Sequence, residues 1–533
     1  MMGSAIAAPA SAGPPPATAE LPRAVAAWLR CLLISAPLAT MTPAADAGTP
    51  EPAAPAAAIG ADATAAVDQI FEDYALDSHI PGMVYGIVAG GRLAYVRGIG
   101  VQDLDSRRPV TADTLFRIAS MTKAFTALTV LKLRDEGKLQ LDALAESYVP
   151  ELRRWRYPTT DSPRIRVREL LNHTAGFVTD DPWGDRQTPL PEPDFTELLR
   201  GGVPFARAPA MAYEYSNLGF ALLGRVISNV SGQPYADVIT RSLLQPLGMT
   251  SSGFVADAAP TERRALGYRW EDDAWRLEPT LGPGAFGAMG GLQTSASDYA
   301  RWVAFLLAAW PPRDDPDGGP VRRATVRELA QGSNFPAVRQ RYGHTGAGAC
   351  RQAVNYGMGF NVAVDCDLGL TLSHGGGYPG YGSHVLLLPA YGVGIFAFAN
   401  RTYAGPSGPV WDAALALQKA GYLKDAPLPV GEALARAYRA VGAIYAAGDV
   451  AAGGDIFAMN FLLDRDAAGR ARDIARLKAQ VGACDTTAPI TPRSALAGTF
   501  VWRCAHGRVT GGVVLAPTRP PRIQAMELAR REP

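Results

Sequence analysis

Phe116-Arg117-Ile118-Ala119-Ser120-Met121-Thr122-Lys123 is the stretch on which the reading of this chain turns. It opens an apolar run expected to be helical from Ser120 to Glu136, with Gly137 stopping it in the position after the last turn. Residues three apart share a helix face, so the Lys123 amine can reach the Ser120 hydroxyl. A serine hydroxyl is a weak nucleophile without a neighbouring base. A lysine serves as that base when burial or a cationic neighbour lowers its pKa toward neutrality. A serine at a helix start also meets exposed N–H groups that favour developing negative charge. Only six of the 51 basic residues are lysines, and this is the sole S-x-x-K in the chain. By itself the pattern also suits a capping serine and a surface lysine.

Two further stretches suit the same chemistry. Tyr215-Ser216-Asn217, within Tyr213-Glu214-Tyr215-Ser216-Asn217, is the only Y-x-N and precedes a helix expected over Leu218 to Val230. A loop ending there can aim phenol and amide at one point: Tyr215 to share the proton of Ser120 or Lys123, Asn217 to hold Lys123 or a substrate carbonyl. In isolation the two also read as a half-buried tyrosine and a helix cap. His374-Gly375-Gly376-Gly377 follows a strand-like run, Leu370 to Ser373. Glycines there let a substrate backbone approach closely. His344 competes for this role, but it lies among Arg341, Gly343, Gly346 and Gly348 without a strand pattern, so His374 is preferred.

The order S-x-x-K, Y-x-N, then a strand with a basic residue and glycines resembles the serine β-lactamase and penicillin-binding protein superfamily. It is most similar to the class C β-lactamase-like branch, with its D-alanyl-D-alanine carboxypeptidase, D-aminopeptidase and esterase relatives. Leu170-Leu171-Asn172-His173-Thr174-Ala175-Gly176, Gln245-Pro246-Leu247-Gly248-Met249 and Gly290-Gly291-Leu292-Gln293-Thr294-Ser295-Ala296-Ser297-Asp298 extend the likeness, which covers roughly residues 65–420. It implies an α/β (α+β) fold, an antiparallel sheet flanked by helices plus a mostly helical subdomain. It also implies acyl transfer without a metal or organic cofactor. Ser120, Lys123 and Tyr215 would be catalytic, the backbone N–H groups of Ser120 and Gly377 would form the oxyanion hole, and Asn217, His374, Gly375 and Gly376 would bind substrate. One departure bears on the substrate. No lysine stands between Lys138 and Lys419, so a Lys-Thr-Gly box is impossible and His374-Gly375-Gly376 takes its place. Histidine is mostly neutral at pH 7. Uncharged esters or amides are therefore expected as substrates ahead of anionic β-lactams. No G-x-S-x-G elbow supports an α/β-hydrolase reading. A penicillin-binding-like receptor for cell-wall peptides without turnover is the other alternative.

The surrounding sequence fits an exported protein. The 533 residues carry a formal net charge of +1, which gives no basic surface for nucleic acid. Arg23, Arg30, the apolar run from Cys31 to Ala39 and the small residues ending at Ala45-Asp46-Ala47 read as a signal peptide over 1–47. Residues 48–63 read as a linker, 64–424 as the hydrolase domain, and 425–533 as a small C-terminal α+β domain. A helix capped by Thr64 is expected through Tyr74. A hairpin is expected with strands Met83 to Ala89 and Leu93 to Ile99, and another helix from Ser297 to Leu307. Further strands are expected over Tyr356 to Val364, His384 to Pro389 and Val393 to Ala399. The C-terminal part should hold helices near 431–447 and 465–481, then strands Gly498 to Cys504 and Thr510 to Leu515. Cys350, Cys366, Cys484 and Cys504 are expected to form local disulfide pairs in a secreted or periplasmic setting. No Cys/His spacing suggests a metal site, and no apolar run is long enough to span a bilayer.

Overall fold

The computed structural model describes residues 59–313, 315–334, 337–341, 349–425 and 428–531. The expected signal peptide, most of the linker and His344 lie outside these residues. Eight strands form one sheet: β1 (Gly82–Ala89), β2 (Arg92–Gly100), β3 (Ala337–Gln340), β4 (Arg351–Tyr356), β5 (Asn361–Asp365), β6 (Gly369–Tyr378), β7 (Tyr381–Leu388) and β8 (Val393–Ala399). Their order is β2-β1-β8-β7-β6-β5-β4-β3, and every neighbouring pair is antiparallel. The first hairpin closes through Gly90 and Gly91, both at positive φ (58° and 73°), the conformation two-residue hairpin turns require.

Helices cover both faces, which is why β1 and β8 read as continuous apolar runs rather than alternating ones, and why β7 is buried along its whole length. Met83, Tyr85 and Ile87 of β1 and Ile395 of β8 pack on Phe71 of α1 (Ala61–Asp77) and Trp411 of α5 (Ser407–Lys419). Val84, Val88, Phe396 and Phe398 point the other way, into a cluster with α2 (Thr122–Asp135), α3 (Asn217–Ser231) and α4 (Ala296–Leu307). The Phe125 ring of α2 stacks on Trp302 of α4 with centroids 3.9 Å apart. Helix α2 is buried almost all round, including Lys123, Thr126 and Thr129. Apolar periodicity on one side therefore does not describe it; it is a central helix.

Residues 432–531 gather round a hydrophobic cluster of their own. It is built from α6 (Glu432–Ala447), α7 (Ala467–Val481) and the four-stranded sheet β9-β10-β11-β12 (Thr491–Ser494, Ala497–Cys504, Gly507–Ala516, Arg522–Arg531). Cys350 is paired with Cys366, and Cys484 with Cys504. Among the described residues no helix is long and apolar enough to cross a membrane.

Several local expectations are corrected. Ser120 does not begin the α-helix: Ala119–Met121 is a 3₁₀ turn and α2 starts at Thr122. Thr64 is not a cap, because α1 starts three residues earlier and its hydroxyl donates back to the Ala61 carbonyl at 2.9 Å. The cap of α4 is Ser295, which accepts from the Asp298 N–H at 3.1 Å, and that of α3 is Ser216 rather than Asn217. The run from Tyr356 to Val364 is not one strand but the turn and arms of a hairpin, β4 and β5. Strand β6 does not stop before His374 but runs on through its three glycines.

Candidate active site

A short two-stranded pairing of Phe116–Arg117 with Gln293–Thr294 delivers the chain to the turn that carries Ser120. Ala119, just before the serine, has φ +49°, a conformation that costs a non-glycine residue energy and persists only where its surroundings enforce it. Strand β6 is part of those surroundings. A Cβ on Gly376 would stand 2.4 Å from the Ile118 carbonyl oxygen, 3.1 Å from Ala119 Cβ and 2.1 Å from Ser383 Oγ. Glycine at 376 thus lets the strand backbone press directly against the turn that carries Ser120.

Lys123 is fully buried (0% exposed), one turn beyond Ser120. Its Nζ lies 3.0 Å from Ser120 Oγ, 2.8 Å from Asn217 Oδ1 and 2.9 Å from the Met289 carbonyl oxygen. Burial lowers its pKa to about 8, against the pull of Asp181, Asp185 and Asp180, which favour the charged form. Asn217 is oriented by its other end, since its Nδ2 donates to Asp181 Oδ1. The start of α3 is held by the Asp180 carboxylate, which accepts from the Asn217 and Leu218 N–H groups at 2.6 and 2.8 Å. A carboxylate is well placed at a helix N-terminus.

Tyr215 reaches the site from the loop before α3. Its hydroxyl interacts with Ser120, and the Lys123 ammonium lies 4.9 Å from its ring centroid. Burial, with Tyr356 and Asp181 nearby, raises the Tyr215 pKa well above its ordinary value, so the phenol stays protonated. His374 (4% exposed) lies between two partners. Its Nδ1 is 2.6 Å from the Gly375 carbonyl oxygen, so that nitrogen carries the proton. Its Nε2, 2.9 Å from the Tyr356 hydroxyl, then accepts from it. Burial and the nearby Lys123 lower the His374 pKa to about 3, which leaves the ring neutral.

These groups meet at one cleft of about 340 Å³, lined by Ser120, Tyr215, His374, Gly375 and Gly377 together with Thr179, Asp181, Asp185 and Tyr403. Asn217 lies behind it on Lys123, and Gly376 under the turn that carries Ser120. The four cysteines line no part of it. Sequence reasoning missed Asp181, Asp185, Tyr403, Tyr356 and the Met289 carbonyl. The adjacent pair Asp180-Asp181 carried a visible signal, because it follows the quoted Asn172–Gly176 stretch closely; a backbone carbonyl carries none.

Comparisons with known proteins bear on the family and the fold. Residues 67–420 match the protein family described as Beta-lactamase. Esterase EstB of Burkholderia gladioli is 30% identical over 406 residues, covering 68% of this chain and 96% of that protein. Protein flp of Staphylococcus aureus is 30% identical over 348 residues, and the chain spans 63% of its length. Among solved structures, a class C β-lactamase superposes with a TM-score of 0.54 at 20% identity, covering 67% of this chain and 96% of that one. The octameric penicillin-binding protein homologue from Pyrococcus abyssi gives 0.56 at 19% identity, covering 87% and 100%. With its antiparallel sheet, its flanking helices and this family match, the chain belongs to the β-lactamase family, within the superfamily of serine β-lactamases and penicillin-binding proteins.

Proposed function

We propose that this protein is a serine hydrolase that cleaves ester or amide bonds through an acyl-enzyme on Ser120. The observation that carries the reading is the set of three contacts around Lys123 Nζ. A neutral amine has two N–H bonds and one lone pair. Asn217 Oδ1 and the Met289 carbonyl accept the two N–H bonds, which leaves the lone pair facing the Ser120 hydroxyl. Lys123 takes the serine proton as Oγ bonds to the carbonyl carbon. The resulting oxyanion is received by the backbone N–H groups of Ser120 and Gly377. Collapse breaks the bond to the leaving group, which takes the proton back from Lys123 through the Tyr215 hydroxyl. Water then attacks the acyl-enzyme, loses its proton along the same path, and releases the acid and free Ser120. An oxyanion donor of this kind contributes about 2.7–4 kcal/mol.

The substrate is read from charge. His374 is a neutral group where an anion-binding cation would stand, so short-chain esters are expected to turn over and the anionic β-lactam nitrocefin to react slowly. The relative named as an esterase supports this choice. The two disulfides support a secreted or periplasmic location. Residues 425–533, with their own hydrophobic cluster, are proposed to be a separate domain. The test is labelling by a fluorophosphonate probe alongside ester hydrolysis. Both are expected in the wild type and absent in Ser120→Ala; unchanged labelling of the variant refutes the assignment. Labelling of Ser120 without any hydrolysis would instead favour the receptor alternative.

A further inference from the structure

Arg117 is buried (2% exposed) three residues before Ser120, and the acyl-transfer chemistry described above makes no use of it. The partners of its guanidinium are neutral. One Nη donates to the Leu281 carbonyl; the other donates to the Tyr378 hydroxyl at 3.1 Å and, at 3.5 Å, to the Gly291 carbonyl. Its central carbon lies 4.6 Å from the centre of the Tyr378 ring, a cation–π contact. Among the described residues no carboxylate oxygen lies within 4 Å of Arg117, and its Nε has no partner. A buried cation without a counter-ion destabilises a fold, and an apolar side chain of similar length would fill the space without that cost.

A second observation, independent of the charge, shows what the arginine joins. Strand β6 is held on both edges only over its first half. Its pairing with β5 ends at Ser373, opposite Asn361. From His374 to Tyr378 its one partner strand among the described residues is β7. On the open edge stands the segment Phe116–Arg117, which leads to Ser120. Arg117 bridges the gap by its hydrogen bond to Tyr378, the last residue of β6. The Tyr378 carbonyl in turn accepts from the Tyr403 N–H at 3.3 Å. Tyr403 has φ +54°, which surroundings must enforce on a non-glycine residue, and a Cβ on Gly377 would lie 2.8 Å from its ring. The two N–H groups expected to receive the oxyanion lie on the two pieces so joined. Ser120 comes three residues after Arg117, and Gly377 comes one residue before Tyr378.

We propose that Arg117 is a positioning residue that sets the span between the two oxyanion donors, by tying the half-paired end of β6 to the segment before Ser120. A planar guanidinium suits this task, because its donors are fixed relative to one another and reach several acceptors at once. The proposal rests on the serine-hydrolase reading and deepens it.

The experiment measures kcat and KM for p-nitrophenyl acetate, and the inhibition constant of 2,2,2-trifluoroacetophenone, in the wild type, Arg117→Met and Tyr378→Phe. All are read well below the thermal transition of each protein. The ketone reports on the oxyanion site without a leaving group. Ser120 Oγ bonds to its carbonyl carbon, the π electrons become the oxyanion, and the serine proton passes to Lys123. Arg117→Met is expected to lower kcat by about ten- to hundredfold, with KM changed by less than about threefold, and to weaken the ketone by the same factor as kcat. Tyr378→Phe removes a single hydroxyl from the clamp and is expected to lose about three- to tenfold in both, the range of one hydrogen bond. If Arg117→Met does not fold, Tyr378→Phe decides by the same criterion. An arginine with only a structural role would lower thermal stability and leave kcat and ketone affinity as they are. Unchanged kcat or unchanged ketone affinity overturns the proposal. Failure of the underlying reading looks different, since the wild type would then bind the ketone no better than Ser120→Ala.

Discussion

Two buried basic groups share this cleft, and the fold treats them oppositely. Lys123 and His374 both lose most of their hydration, which depresses both pKa values. For Lys123 burial is partly offset by the field of Asp181, Asp185 and Asp180, which leaves it at about 8. His374 is met by Lys123 itself and by a phenol that donates to its ring, and it falls to about 3. Burial alone therefore sets no role. The neighbours leave one group titrating near neutrality, as the proposed base must, and make the other a fixed, uncharged part of the wall.

The largest expected effect follows from removing the titrating member. Lys123→Met should lower kcat for short-chain esters by about 10²–10⁴, the range of general-base catalysis, while leaving a folded protein by circular dichroism. A loss below about threefold would mean that the serine is activated by something else. Gly376→Ala tests the packing that connects the two groups. The added methyl collides with the Ile118 carbonyl and Ser383 Oγ, so thermal denaturation should show a loss of about 1–3 kcal/mol, with activity reduced as the nucleophile turn shifts. Tyr356→Phe should cost similar stability but disturb activity least, because Ser120 and Lys123 keep their contacts. It leaves the buried His374 Nε2 without a donor, at a cost of about 1–3 kcal/mol. It should raise the His374 pKa only modestly, because burial and Lys123 remain. Titration of that ring by NMR near pH 6.5 in the wild type would contradict the account of its neutrality.

The sequence made the chemical half of this comparison readable and hid the environmental half. Ser120 and Lys123 are visible because one helical turn separates them, and Tyr215 and His374 because distinctive short patterns carry them. The first hairpin was equally plain, since Gly90-Gly91 between two apolar runs permits little else. Asp181, Asp185 and Tyr356 lie far along the chain from the groups they influence, and their effect exists only once β4, β6 and the loop before α3 converge. The same limit explains the misread run from Tyr356 to Val364. Gly357 and Gly359 punctuate the run, but only the packing against α2 shows them as a turn: Gly359 stands at φ +83°, where a Cβ would lie 2.7 Å from Ala124 Cα. Strands β3 and β12 escaped notice for another reason: each lies at a sheet edge, β3 almost wholly exposed and β12 interrupted by Arg522, Gln524, Glu527, Arg530 and Arg531.

The pH dependence of kcat/KM with an uncharged ester such as p-nitrophenyl acetate distinguishes the roles of the two basic groups in a single curve. Because the Lys123 pKa is lowered to about 8 and the reactive form is the neutral amine, the rate should rise tenfold per pH unit below that value and level off above it. The neutral His374 should add no further inflection between pH 5 and 8. A rate independent of pH from 6 to 9, or one still climbing with an inflection near the ordinary lysine value of about 10.4, would contradict Lys123 as the base of this site.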